Sequence, residues 1–151
     1  MYEVYTDGAV SGNGKANAPG GWAYVILKDG VVISQNSGAE VGTTNQRMEL
    51  TAALRACEEV EAIDAFATVK LYSDSAYFIN CFKQNWWRAW EVNGWRNSKK
   101  ERVANEDLWR KLVFFFSKAP GWDFIKVKGH TGNEWNEIVD KMAVRAKESV
   151  M

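Results

Sequence analysis

The sequence is poor in proline, cysteine and histidine, and each scarcity narrows the class of protein. Its 151 residues include two prolines, two cysteines and one histidine. So little proline excludes a collagen-like or proline-rich chain. Cys57 and Cys81 lie in apolar segments without metal-ligand spacing. This placement favours small buried hydrophobic residues over a disulfide framework or a zinc site, and it indicates a reducing compartment.

Long apolar runs are also missing. No stretch approaches the run of about 18 uncharged apolar residues that crosses a bilayer. The opening MYEVYTDGAV has acids and turn residues where a signal peptide needs a basic end and an apolar run. We therefore expect a cytoplasmic protein that does not contact membranes. With 46% apolar and 25% charged residues, the chain should form a single globular domain over residues 1–151.

Charge is balanced overall but not locally. Nineteen basic and nineteen acidic residues give a net charge of zero, yet residues 83–111 contain eight basic and four acidic residues. The same window holds five of the eight tryptophans: Trp86, Trp87, Trp90, Trp95 and Trp109. Interleaved basic and aromatic residues suit a nucleic-acid backbone, whereas a packed aromatic cluster under a solvated basic face explains them equally well.

Hydropathy patterns predict an α/β fold. Three antiparallel strands are predicted from EVYTDGAV, GGWAYVILKDG and VVISQNSGAEV, with a tight turn at Asp29-Gly30. A helical pattern follows Thr44, and ATVKLYSDS then reads as a fourth strand parallel to the first. The remaining predicted elements are a short helix at 75–82, a helix at about 105–117, a strand in WDFIKVKG and a last helix with its apolar stripe at 135–146. The predicted order is βββαβααβα.

Two aspartates occupy the ends of predicted neighbouring strands. Asp7 follows EVYT and Asp74 follows KLYS. In open α/β sheets ligands bind at that carboxyl edge. Taken singly, each residue has a structural explanation, because Asp7-Gly8 can form a turn and Asp74 can begin the next helix.

Two further acids flank apolar helical stripes. Glu49 lies between Met48 and Leu50, and Asp140 lies next to Val139. Alone, Glu49 reads as a helix-flank acid. If these two acids meet Asp7 and Asp74, four like charges need compensation, and such oxygen-rich sites suit Mg²⁺. Two ions about 3.5–4 Å apart can activate water and stabilise a leaving oxygen, so the set predicts a metal-dependent nuclease if the four acids converge.

His130 is the single histidine, in a glycine-flanked loop ten residues before Asp140. A lone histidine is usually structural, although one aimed at an acidic cleft can shuttle protons. We predict a catalytic role because Asp140 follows it.

Five motifs in order resemble type 1 ribonuclease H, the bacterial ribonuclease HI family. They are YTDG, TTNQRMEL, LYSDSAY, the NGW and NEDLW elements, and KGHTGNEWNEIVD, and they span nearly the whole chain. The resemblance implies the ribonuclease H-like fold, a five-stranded mixed sheet with three antiparallel strands then two parallel ones, flanked by helices. It also implies hydrolysis of the RNA strand of RNA–DNA hybrids with two Mg²⁺ ions, Mn²⁺ being able to substitute, to leave 5′-phosphate and 3′-hydroxyl ends.

The resemblance also implies roles for individual residues. Asp7 would bridge both metals, and Asp140 would complete the site of the ion that activates water. Glu49 and Asp74 would hold the second ion, near the leaving oxygen. His130 would assist proton transfer or product release.

Substrate contacts are implied in the same way. Asn13, Asn45 and Gln46 match positions that touch the minor groove, where 2′-hydroxyls distinguish RNA from DNA. Thr44 matches a contact to a DNA phosphate. A basic protrusion at about residues 83–104 would grip the hybrid through Trp86, Trp90, Trp95, Arg96, Lys99 and Lys100.

The chain departs from the family pattern at several positions. Gln46 replaces the second of two asparagines, and its longer side chain shifts the reach of the amide. Ala89, Glu91 and Val92 stand where relatives often carry an asparagine and lysines, so hybrid binding should be weaker and less salt-sensitive. The loop at residues 12–21 is longer than usual. Nothing in the sequence requires a partner chain, and we expect a monomer.

Two other functions remain open at this point. One is a catalytically silent module that binds hybrids or RNA, which is disfavoured because the four acids and His130 are all present. The other is a nuclease of the same broad superfold that cuts DNA junctions or joins DNA ends. That function leaves the amide-bearing motif beside Glu49 and the tryptophan-rich protrusion unexplained.

Overall fold

The computed structural model describes residues 1–128 and 134–151. In these two segments the elements follow one another as β1 (Tyr2–Val10), β2 (Pro19–Lys28), β3 (Val31–Val41), α1 (Asn45–Ile63), β4 (Val69–Ser73), α2 (Ala76–Lys83), α3 (Trp86–Val92), α4 (Glu106–Ser117), β5 (Trp122–Lys126) and α5 (Glu134–Glu148). Among the described residues, no helix has both the length and the apolar character needed to cross a bilayer.

The strands form one sheet in the order β3-β2-β1-β4-β5. Strands β1, β2 and β3 are antiparallel, whereas β4 runs parallel to both β1 and β5. The mixed sheet predicted from the sequence is therefore confirmed. The tight turn is confirmed as well, because Asp29 and Gly30 both have positive φ, at 50° and 83°.

Helices cover both faces of the sheet. The larger core lies between the sheet and α1, α2 and α4, where the side chains of Leu50, Phe78 and Trp109 are fully buried. Helix α5 covers the other face with Val139 and Ala143. Both cysteines are buried free thiols, as predicted.

Two sequence-based expectations about the elements were wrong. Helix α3 lies inside the basic aromatic segment and was not predicted, because its seven residues, WWRAWEV, are too few for a helical period to stand out. Its Trp86, Trp87 and Trp90 pack against the main core, whereas Arg88 and Glu91 are exposed. Asp7 was expected at the carboxyl end of its strand, but β1 continues past it to Val10, so the alternative of a turn at Asp7-Gly8 is wrong as well. Pairing with β2 along its length, from Tyr2 to Val10, keeps this segment extended despite its turn-forming sequence.

Candidate active site

Asp7 lies in the middle of β1, at the point where its two neighbouring strands diverge. Pairing between β1 and β4 ends at Tyr5 and Tyr72, while pairing with β2 continues past Asp7. The side chain is 2% exposed. Its Oδ1 accepts a hydrogen bond from the backbone N–H of Gly8 at 2.8 Å. The rigid strand thus presents a buried carboxyl group at a gap in the sheet.

Glu49 reaches Asp7 because α1 packs directly on β1. A Cβ atom built on Gly8 would lie 2.7 Å from the Glu49 backbone nitrogen and 2.8 Å from the carbonyl carbon of Met48. Only a residue without a side chain permits this approach. Glu49 is 6% exposed, so it is a buried carboxyl group and not the helix-flank acid that its sequence position alone suggests.

Asp74 follows the last residue of β4, as expected, and precedes α2. Carboxylate oxygens of Asp7, Glu49 and Asp74 lie within 4.8 Å of one another. Asp140 approaches Asp7 from α5, on the opposite face of the sheet, closely enough to help raise the pKa of Asp7. The structure therefore brings together all four acids singled out from the sequence; we refer to them as the acidic cluster.

A second glycine allows α5 to approach. Gly21 lies on β2, and a Cβ atom there would overlap the backbone carbonyl of Ala143. The close contact seats α5 on the sheet, and Asp140 projects from this helix one turn before Ala143. The sequence interpretation missed both Gly8 and Gly21, although the glycine that follows Asp7 in YTDG was a usable signal.

Burial and mutual repulsion raise the pKa of the central carboxyl groups. Burial, followed by the charges of Asp74 and Asp140, raises the pKa of Asp7 to about 8, against a lowering contribution from the Gly8 N–H. Burial also raises the pKa of Glu49 well above its usual range, with Asp7 and Asp74 adding to the effect. Without a counter-charge, this site therefore retains protons near neutral pH.

The donor chemistry of the acidic cluster fits a hard divalent cation. All its ligand atoms are carboxylate oxygens, which Mg²⁺ and Mn²⁺ favour. Glu49 Oε2 is buried and makes no hydrogen bond to the described residues, an arrangement that is costly unless another partner satisfies it. A bound cation would satisfy this oxygen and lower the pKa of both buried acids.

The predicted catalytic residue His130 lies outside the described residues.

A group of exposed amides lies next to the acidic cluster, at the start of α1. Asn13 Oδ1 accepts a hydrogen bond from the backbone N–H of Asn45 at 3.1 Å. The side chain of Gln46 is exposed. Thr44 caps the helix, its hydroxyl accepting from the Arg47 N–H at 3.2 Å. These four predicted contact residues therefore share one surface, one helical turn before Glu49.

The basic protrusion has an exposed cationic surface over a packed aromatic base. Arg96, Lys99 and Lys100 are exposed. Trp95 is only 7% exposed and packs against Trp90, with ring centroids 6.0 Å apart. Trp86 and Trp90 are half-buried against the main core. This arrangement matches the packed aromatic cluster under a solvated basic face, while contact of the segment with a nucleic-acid backbone stays a prediction.

The sheet order and the buried acidic cluster define an α/β protein of the ribonuclease H-like fold class. Residues 1–148 match the family model for RNase H. Ribonuclease H from Syntrophomonas wolfei is 46% identical over 147 residues, which cover 97% of this chain and 96% of that protein. The chain therefore belongs to the ribonuclease H family and is a nuclease enzyme, as the sequence motifs predicted.

Solved structures show the same fold. LC9-RNase H1, described as a type 1 RNase H with the type 2 active-site motif, superposes with a TM-score of 0.85 at 25% identity, covering 99% of this chain and 73% of that one. LC11-RNase H1, solved in complex with an RNA/DNA hybrid, gives a TM-score of 0.75 at 19% identity and covers 99% of this chain and 98% of that one.

Proposed function

We propose that this protein is an endonuclease that hydrolyses the RNA strand of RNA–DNA hybrids. The observation that carries the proposal is the adjacency of the buried acidic cluster and the exposed amides of Asn13, Asn45 and Gln46, in a chain of the ribonuclease H family. The hybrid bound by the structurally similar LC11-RNase H1 supports the substrate class.

The four acids would hold two Mg²⁺ ions. Asp7 would contribute to both, Asp140 would contribute to the ion that activates water, and Glu49 and Asp74 would contribute to the ion that stabilises the leaving oxygen. Such ions supply an activated water and stabilise the leaving oxygen in an in-line displacement, which leaves 5′-phosphate and 3′-hydroxyl ends. The chain itself holds the carboxylates rigidly, since Asp7 is fixed by the strand and by the Gly8 N–H. His130 would move a proton during hydrolysis or assist product release.

Substrate recognition would use two surfaces. The exposed amides can donate to and accept from 2′-hydroxyl groups, which DNA lacks. Asn13 is preorganised for this by its hydrogen bond to the backbone of Asn45, and Thr44 beside them would contact a DNA phosphate. The basic protrusion would hold the backbone farther away through the predicted contacts Trp86, Trp90, Trp95, Arg96, Lys99 and Lys100.

We also propose that residues 1–151 form one catalytic domain that acts as a monomer. Each helix in the described segments packs on the single sheet or on a helix that does so. The two buried free thiols accord with a cytoplasmic location.

The test compares three labelled substrates of one sequence: an RNA–DNA hybrid, an RNA duplex and a DNA duplex. We expect Mg²⁺-dependent cutting of the RNA strand in the hybrid alone, abolished by a chelator. Direct sequencing of the product ends should find 5′-phosphates. Equal cutting of all three substrates, or no cutting of the hybrid, would overturn the proposal.

A further inference from the structure

The start of α4 contacts the segment that carries Glu49. Arg47 lies on α1, two residues before Glu49. Its guanidinium donates two parallel hydrogen bonds to the Asp107 carboxylate, at 3.0 and 2.7 Å. Such a bidentate pair fixes the orientation of its partners as well as their distance. The first turn of α1 is thereby tied to the first turn of α4.

The same end of α4 also contacts the segment that carries Asp74. Tyr77 lies on α2, three residues after Asp74. Its hydroxyl accepts a hydrogen bond from Trp109 Nε1 at 2.8 Å, and the two rings meet edge to face with centroids 5.2 Å apart. Because Trp109 is fully buried, it gives Tyr77 a rigid anchor.

Asn105 connects the two contacts. Its Oδ1 accepts from Arg47 and its Nδ2 donates to the Tyr77 hydroxyl, both at 3.5 Å. Its backbone has φ of 60°, in the left-handed region that non-glycine residues adopt at a cost. These contacts keep it there, between the basic protrusion and α4. We call Asn105, Asp107 and Trp109 the α4 clamp.

Repulsion within the acidic cluster opposes the arrangement that the α4 clamp holds. When Asp7, Glu49 and Asp74 ionise within 4.8 Å, they repel one another. Asp7 is fixed in the middle of the sheet, whereas Glu49 lies in the first turns of a helix and Asp74 in a link between two elements. The repulsion therefore acts to separate the two elements that the α4 clamp ties together.

We propose that Asp107 and Tyr77 are positioning residues that hold Glu49 and Asp74 at the separation required for divalent cation binding. Each acts through the segment to which it is tied: Asp107 through its bonds to Arg47 on α1, and Tyr77 through its own place on α2, three residues after Asp74. The inference rests on the proposed function only in assigning a cation to the acidic cluster.

The experiment measures cation affinity directly. Asp107→Asn keeps the shape of the side chain and removes the charge that holds Arg47, and Tyr77→Phe removes only the hydroxyl. Calorimetric titration with Mg²⁺, in the absence of nucleic acid and well below the unfolding temperature, should show about tenfold weaker binding for each variant. The Mg²⁺ concentration for half-maximal hybrid cleavage should rise by the same factor, while KM for the hybrid stays unchanged at saturating Mg²⁺.

Glu106→Gln is the matched control. Glu106 lies in the same turn of α4 and pairs with Arg102 and Arg110 at 2.6 and 2.7 Å, neither of which belongs to α1 or α2. Its loss should leave Mg²⁺ affinity at the wild-type value. Asp107→Glu, which retains the charge, should recover most of the affinity lost in Asp107→Asn.

Lowered thermal stability with wild-type Mg²⁺ affinity in both Asp107→Asn and Tyr77→Phe would show that these contacts are only structural, and the inference would be wrong. Equal weakening by Glu106→Gln would also overturn it. A wild-type protein that binds Mg²⁺ but cuts no hybrid would refute the proposed function instead, and calorimetry would still decide the positioning role.

Discussion

The acidic cluster and the basic protrusion carry opposite charges and differ in burial. Asp7 and Glu49 are almost completely buried on a strand and a helix, whereas Arg96, Lys99 and Lys100 are exposed on an irregular segment. Burial raises the pKa of the acids, so ionising them costs folding free energy. Exposed cations carry no such cost, and each is worth little alone. The buried acids are therefore costly to ionise, whereas the exposed cations of the basic protrusion are nearly neutral in stability.

The largest expected effect comes from neutralising the centre of the acidic cluster. Asp7→Asn should lower kcat for hybrid cleavage by about 10³-fold or more, because it removes the carboxylate that all other members of the cluster surround. Steady-state cleavage assays would measure this. Asp123 is an exposed aspartate on β5, and the control variant Asp123→Asn should keep wild-type activity. A comparable loss of kcat in both variants would contradict the assignment of the chemistry to the acidic cluster.

The same substitution should stabilise the folded protein when no divalent cation is present. The pKa of Asp7 lies above its unfolded value of 3.8, at about 8 in the fold. The folded state therefore binds the proton more tightly, and wild-type stability falls as pH rises between these two values. In a chelating buffer at pH 8, the free energy of unfolding of Asp7→Asn should exceed that of wild type by about 2–4 kcal/mol. This gain should vanish below pH 4.

Urea unfolding at several pH values would measure that gain. A difference independent of pH would show that ionisation of Asp7 is not its cause. Added Mg²⁺ should narrow the gap at pH 8, since it stabilises only a protein that binds it.

Neutralising the basic protrusion should affect binding far more than chemistry. Changing Arg96, Lys99 and Lys100 together to glutamine should raise KM about tenfold with little change in kcat, because these residues lie away from the reacting phosphate. The dependence of KM on salt should weaken as well.

A control variant would change Lys28, Arg55 and Lys118, three exposed cations on other parts of the surface. If it raises KM equally, net charge and not the basic protrusion determines hybrid binding.

The smallest expected effect comes from adding charge to the basic protrusion. Glu91 is exposed on α3, and Glu91→Lys should lower KM about threefold at low salt through electrostatic attraction. The gain should disappear at high salt as screening increases. Glu61→Lys, the same charge reversal at the far end of α1, should leave KM unchanged if position matters.

Much of the fold was predictable because its elements follow simple periodic patterns. The strands, the Asp29-Gly30 turn and the helices α1, α2, α4 and α5 are all in the order that the sequence predicts. Helix α3 was missed because its seven residues are too few for the apolar side formed by Trp86, Trp87 and Trp90 to establish a helical period. The pattern EVYTDGAV predicted a strand that includes Asp7, but the expectation that Asp7 marks its carboxyl end was wrong because pairing with β2 continues to Val10.

The site was predictable in its residue types but not in its environment. Strand ends and helix stripes singled out the four acids, yet the burial of Glu49 depends on how closely α1 lies against β1. The contact between Arg47 and Asp107 joins residues 60 positions apart, and no local pattern marks it. Opposite charges in the TTNQRMEL and NEDLW motifs are consistent with such a pair but do not predict one.

Gly8 allows α1 to approach β1 because it has no Cβ atom. A methyl group at that position would occupy the space now filled by the backbone of Met48 and Glu49, and the first helix would have to move outward. Gly8→Ala would thus displace the Glu49 carboxylate from the acidic cluster although the chain still contains all four acids. Inactive variants of this enzyme can therefore arise at a residue that has no functional group.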